Sequence, residues 1–260
     1  MEKFRFNGID LAFERKGRGQ PLVLIHGYPL DHTIWNEVSH LLEKDFDLIL
    51  PDLRGFGGSG VVGTTYTVAD LAMDIAGSLD HLKIDKAFVA GHSMGGYVAL
   101  AFARAFPHRL AGLGLVSSQI LADPPDRKEG RYKTAADVAE KGVGLVADAM
   151  ASKLSANAGV QSFSHKLIGQ QTVAGVVGAL KAMAERPDCT DVLATSKAPL
   201  VIVHGDADAL IPVDRGREMK GIVPGAHYFE LPGLGHMPMM EDPQAVAGAL
   251  RSFVKGQAAD

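Results

Sequence analysis

The sequence predicts an α/β fold, with a mostly parallel β-sheet covered on both faces by helices. Three observations carry this expectation. Short apolar runs rich in Val, Ile and Leu recur, most of them followed within two residues by Gly or Pro, as suits strands buried on both faces. Segments with apolar residues at helical spacing lie between them. The chain of 260 residues, 47% hydrophobic and 22% charged, is long enough to bury a full core.

The strand runs occupy residues 21–25, 46–50, 86–90 and 113–116, then 199–203 and 227–231. Between the second and third, Val68, Leu71, Ala72, Ile75, Leu79 and Leu82 fall on one helical face, with Thr67 as N-cap and Asp70 in the first turn. Val98, Ala99, Phe102, Ala103 and Phe106 repeat the pattern until Pro107 stops it. Pro243 opens a last helix carrying Val246, Leu250 and Phe253. Residues 121–191 break the alternation. Asp123-Pro124-Pro125-Asp126 marks a loop at the entrance. Three helical stripes follow: Val143, Val146, Met150 and Leu154; Val160, Phe163 and Leu167; Val173, Val176, Val177 and Leu180. The expected organisation is a core of residues 1–120 and 192–260, with a helical cap of residues 121–191 seated on the sheet as a lid. The mixed-sign stretch 127–133 is expected to be plain solvated surface.

Composition excludes several classes of function. With 26 basic and 30 acidic side chains the formal net charge is −4, so the electrostatic footprint of a nucleic-acid binder is missing. Cys189 is the only cysteine, which rules out an intrachain disulfide and a Cys-based zinc site. No signal peptide is visible at the start, and no apolar run approaches the ~18 residues of a membrane span. The expected compartment is the cytoplasm and the expected partner a small molecule. No H-E-x-x-H cluster suggests a metal. Gly55-Phe56-Gly57-Gly58-Ser59-Gly60 formally matches a dinucleotide fingerprint, but Val61-Val62-Gly63-Thr64-Thr65 is a poor helix start, and that fingerprint needs a helix to receive a pyrophosphate. No cofactor is expected.

The strongest chemical signal is Gly91-His92-Ser93-Met94-Gly95. It follows a strand run and opens a helix, the context of a nucleophile elbow. Small neighbours permit the sharp turn at the serine, and the helix N-terminus aims free amides at a reacting carbonyl. A serine needs a base. Of ten histidines, His236 lies just past the run ending at Leu231, where open α/β sheets gather their sites. The base needs an acid to orient it. Asp206 and Asp208 both follow the run at 199–203, and spacing alone leaves the two in competition. An oxyanion hole needs the amide after the nucleophile, Met94, and a second amide from a loop after an early strand. In His26-Gly27-Tyr28-Pro29 that donor would be Tyr28, since Pro29 has no N–H.

These pieces resemble the α/β-hydrolase superfamily over nearly the whole chain. The resemblance rests on His26 to Asp31 with Trp35, Asp52 to Ser59, Gly91 to Gly96, Gly205 to Pro212, and Gly235-His236, all in order. It implies a mostly parallel eight-stranded sheet flanked by helices, with the cap inserted between strands six and seven. The family pattern G-x-x-D-x-x-x-P falls on Gly205, Asp208 and Pro212, which favours Asp208 as the acid. Within the superfamily the chain looks like small bacterial carboxylesterases, cofactor-free haloperoxidases (perhydrolases) and enol-lactonases. The expected function is hydrolysis of small carboxylic esters by Ser93, His236 and Asp208. Perhydrolase or lactonase action on the same residues is the alternative, and a ligand receptor on this fold is a more distant one. The Val, Leu and Met stripes of the insertion suggest a small apolar pocket rather than a charged one.

Overall fold

Asn7 and Gly8 both take positive φ, 47° and 79°, and their two-residue turn joins β1 (Glu2–Phe6) to β2 (Ile9–Gly17) as a hairpin. The computed structural model describes residues 1–256, so the last four residues of the expected core lie outside the described residues. The chain continues through β3 (Gln20–Ile25), α1 (Asn36–Leu42), β4 (Phe46–Asp52), α2 (Val68–His81), β5 (Ala87–His92), α3 (Met94–Ala105) and β6 (Leu110–Val116). Five helices then precede the next strand: α4 (Pro125–Lys141), α5 (Gly144–Leu154), α6 (Ala158–Gly169), α7 (Val173–Ala184) and α8 (Thr190–Thr195). The chain closes with β7 (Leu200–Gly205), α9 (Asp214–Ile222), β8 (His227–Leu231), α10 (Pro238–Glu241) and α11 (Pro243–Gly256).

The eight strands form one sheet in the order β1-β2-β4-β3-β5-β6-β7-β8. β1 and β2 pair antiparallel with each other and β2 with β4. Every pairing from β4 to β8 is parallel. The central strands β4, β5 and β7 are buried along their whole length, as expected of strands covered on both faces. β2 instead trails into alternating exposure after Phe13, because it lies near the sheet edge. Among the described residues no helix is long and apolar enough to cross a membrane.

Local chemistry sets the helix ends. At α2 the Thr67 hydroxyl accepts from the Asp70 N–H at 3.1 Å, and the Asp70 carboxylate accepts from the Thr67 N–H at 2.7 Å, a closed capping box. Pro125 occupies the first position of α4, where a missing N–H loses no bond. The expected loop entrance is therefore followed at once by a 17-residue helix. That helix was hidden because only Ala135 and Val138 of it are buried, too few for an apolar stripe.

One of the contacts that tie the helices between β6 and β7 to the core is especially close. The Tyr66 hydroxyl donates to the Gly175 carbonyl and the Thr172 hydroxyl to the Gly55 carbonyl, each at 2.9 Å. The Gly57 N–H donates to Gln171 Oε1 at 3.0 Å. A Cβ on Gly175 would lie 2.1 Å from the Gly55 oxygen. The glycine run at 55–60 thus serves a tight turn and a backbone contact, and the next helix starts only at Val68. Gly175→Ala is expected to destabilise the fold by about 1–3 kcal/mol through this overlap, read as a lower urea midpoint at unchanged m-value.

Candidate active site

Ser93 stands between the end of β5 and the start of α3 with φ 51° and ψ −112°, a backbone region that L-residues rarely hold. Its N–H donates to the Val116 carbonyl at 2.9 Å, and its carbonyl accepts from the Gly96 N–H and the Ser118 hydroxyl at 2.9 and 2.8 Å. The turn closes because two side chains are missing. A Cβ on Gly91 would meet the Gly95 carbonyl oxygen at 2.0 Å. One on Gly95 would meet the carbonyl oxygens of Ile25 and His26 at 2.5 and 2.6 Å. The start of α3 is thereby pressed against the end of β3. Met94 is the first residue of α3, so its N–H has no intrahelical acceptor. Tyr28 follows on the turn after β3.

That turn is pinned by His26, which is fully buried. Its Nδ1–H donates to the Gly27 carbonyl and its Nε2 accepts from the Leu53 N–H, each at 2.9 Å. Burial lowers its pKa, so the ring stays neutral and can keep both roles.

His236 lies on the loop between β8 and α10. Its Nδ1–H donates to Asp208 Oδ2 at 2.7 Å, which leaves Nε2 as the nitrogen able to take a proton. Its backbone is held twice: its N–H donates to the Leu154 carbonyl at 3.0 Å, and its carbonyl accepts from His92 Nε2–H at 2.8 Å. His92 is fully buried and its pKa is pushed well below the ordinary histidine value, chiefly by burial and then by His236. At this geometry no hydrogen bond joins Ser93 Oγ to the His236 ring among the described residues, though both line one cavity. Such contacts commonly tighten only when substrate is bound.

Asp208, not Asp206, is the carboxylate that meets His236. Asp208 Oδ1 accepts from the N–H groups of Leu210 and Ile211 at 2.8 and 2.9 Å. His204 donates Nε2–H to the Ile211 carbonyl at 2.8 Å and lies 3.5 Å from Asp208 Oδ2. Burial alone would raise the Asp208 pKa. The neighbouring His236, the hydrogen bonds from both histidines and the Ile211 N–H together hold it well below the ordinary carboxylate range. Asp206 accepts from the Gly233 N–H at 2.7 Å and fastens the turn after β8, the usual work of an Asp in a turn.

The only cluster of potential metal ligands found among the described residues is Asp31, His32 and Asp52. Several of its oxygens already accept hydrogen bonds. Asp52 Oδ1 accepts from the His32 N–H at 2.9 Å and Nδ1–H at 2.7 Å, and Asp31 Oδ1 accepts from the Thr33 N–H at 2.9 Å.

Ser93, His236 and Tyr28 line a cavity of about 450 Å³, a size suited to a small ligand. Its far wall comes from α4, α5 and α7 and is largely apolar, with Val146, Met150 and Leu180. It also carries Arg127, Arg131 and Lys153, so the stretch 127–133, mostly exposed as expected, also lines the cavity in part. The missed signal was helical spacing: Arg127, Gly130, Arg131 and Thr134 share one face of α4 and all line the cavity.

A family model described as alpha/beta hydrolase fold matches residues 20–243. A thermophilic esterase from Thermogutta terrifontis, solved with malate bound, is 37% identical, with 99% of each chain covered and a TM-score of 0.95. The enol-lactonase from Burkholderia xenovorans shares the fold at 23% identity and a TM-score of 0.90, covering 98% of this chain and 100% of that one. The dihydrolipoyllysine-residue acetyltransferase component of the acetoin cleaving system of Pseudomonas putida is 32% identical over 94% of this chain and 66% of its own length; the chain spans just under two thirds of that relative. With the elbow, the strand order and the family match in agreement, the chain belongs to the α/β-hydrolase family.

Proposed function

We propose that the protein hydrolyses small carboxylic esters through an acyl-enzyme on Ser93, with His236 as base and Asp208 as the acid that orients it. The observation that carries this reading is the buried 2.7 Å bond from His236 Nδ1 to Asp208, on a ring that lines the same cavity as Ser93. The similarity to a solved esterase supports it.

His236 Nε2 takes the Ser93 proton as Oγ bonds to the ester carbonyl carbon. The amides of Tyr28 and Met94 hold the oxyanion. As the ester C–O bond breaks, His236 returns the proton to the leaving alcohol oxygen. Water then repeats the sequence on the acyl-enzyme and releases the acid. Asp208 keeps the ring in one tautomer and balances the imidazolium charge. No cofactor takes part. Hydrogen peroxide can replace water as acyl acceptor on the same residues, and a lactone can replace the open ester. Helices α4, α5 and α7 act as the lid over the cavity.

Ser93→Ala is expected to lower turnover of p-nitrophenyl butyrate by roughly 10⁵–10⁶, with unchanged circular dichroism. Substantial turnover by that variant removes Ser93 from its role. Running the wild type with and without hydrogen peroxide separates ester hydrolysis from peracid formation.

Asp208→Asn is expected to lower kcat by about 10⁴ through the wrong tautomer, whereas Asp206→Asn retains most activity. The depressed Asp208 pKa also makes a sign-definite prediction. The stability it contributes is complete above the ordinary carboxylate value and is lost as pH falls through the lower folded value. Urea midpoints from pH 6 down to pH 2 should therefore fall less steeply for Asp208→Asn than for the wild type.

A further inference from the structure

The wall of the cavity facing Ser93 has an uneven charge. Arg127, Arg131 and Lys153 line it, and no Asp or Glu among the described residues does. Asp123, whose side chain is fully buried, is the carboxylate that pairs with these arginines. It ion-pairs with Arg186 at 2.8 Å and with Arg131, while Arg127 Nε stands off at 3.6 Å. Arg186 is itself buried, donates to the Met183 and Leu121 carbonyls, and stacks on Tyr97 at 4.2 Å. That pair is structural. One carboxylate is thus shared by three guanidinium groups, so the lining that Arg127 and Arg131 contribute to the cavity carries net positive charge.

A second, independent observation lies in the same cavity. Tyr28 is 7% exposed, lines the cavity and has a buried hydroxyl with no hydrogen-bond partner. An unpartnered buried hydroxyl is costly, which is relieved if a ligand accepts from it. Burial pushes the Tyr28 pKa upward despite the nearby charge of Arg131, so the hydroxyl remains a donor. Two cationic side chains and the residue bearing this buried O–H donor line one cavity, a donor set of the kind that recognises a carboxylate.

We propose that Arg127, Arg131 and the Tyr28 hydroxyl form a carboxylate-binding subsite, and that the substrates are monoesters of short dicarboxylic acids. This rests on the ester-hydrolase reading above and names its substrate class. The free carboxylate sits among these three groups while the ester carbonyl reaches Ser93. The product is a dicarboxylate, so the reaction belongs beside steps that make or consume dicarboxylic acids.

The test compares two activated esters with the same leaving group: neutral p-nitrophenyl butyrate and anionic mono-p-nitrophenyl glutarate. The wild type is expected to favour the anionic ester in kcat/KM by about tenfold or more, a preference that shrinks with added NaCl. Arg127→Gln, the more exposed and structurally safer change, and Arg131→Gln should each lower the anionic-to-neutral ratio by about tenfold. Arg131→Lys should restore part of it. A wild-type ratio near one, or ratios unmoved by either change, overturns the subsite while turnover of the neutral ester leaves the hydrolase reading intact. If neither ester is cleaved, the hydrolase reading fails and calorimetry with glutarate decides the subsite. Binding to the wild type that is lost in Arg127→Gln upholds it, and no binding overturns it.

Discussion

Everything in this site depends on backbone meeting backbone where side chains are absent. Gly91 and Gly95 let the first turn of α3 close over the end of β5 and lean on the last carbonyls of β3. A single methyl group at either position would push the helix off the sheet. The helix N-terminus would then leave the turn that carries Tyr28, and the two amides proposed for the oxyanion hole would separate. The strand order places β3 and β5 side by side, so the contact is a property of topology as much as of two residues.

Around this contact, buried histidines act as fixed donors. His26, His92 and His204 each give a ring N–H to a backbone carbonyl, of Gly27, His236 and Ile211 respectively. Each carbonyl belongs to a loop at the C-terminal side of the sheet. Burial pushes His26 and His92 toward the neutral form, which keeps their bonds indifferent to modest acidification. His236 differs in giving its Nδ1–H to a carboxylate, and that places it among groups that can manage a proton.

The parallel strands and the helices α2, α3 and α11 were legible in the sequence because apolar runs and 3.6-residue stripes record burial directly, whereas α1 and α9 were not read from it. The elbow was legible because its glycines have no alternative. β1 and β2 were reached only through family resemblance, since their half-exposed residues make no apolar run; the Asn7-Gly8 pair was the local signal available. α4 was read as a charged surface because its buried face is short and its cavity-lining face is basic. The choice between Asp206 and Asp208 could not come from spacing, as both follow β7. In the structure the chain's path after Gly205 turns Asp206 toward Gly233 and Asp208 toward His236.

The dihedral angles of Ser93 have one further consequence. Holding a non-glycine residue at φ 51° costs about 1–3 kcal/mol, and only glycine takes such a conformation freely. Selection for thermal robustness alone would therefore drift toward glycine at position 93. The hydroxyl-bearing residue at position 93 therefore occupies a spot that its own backbone opposes.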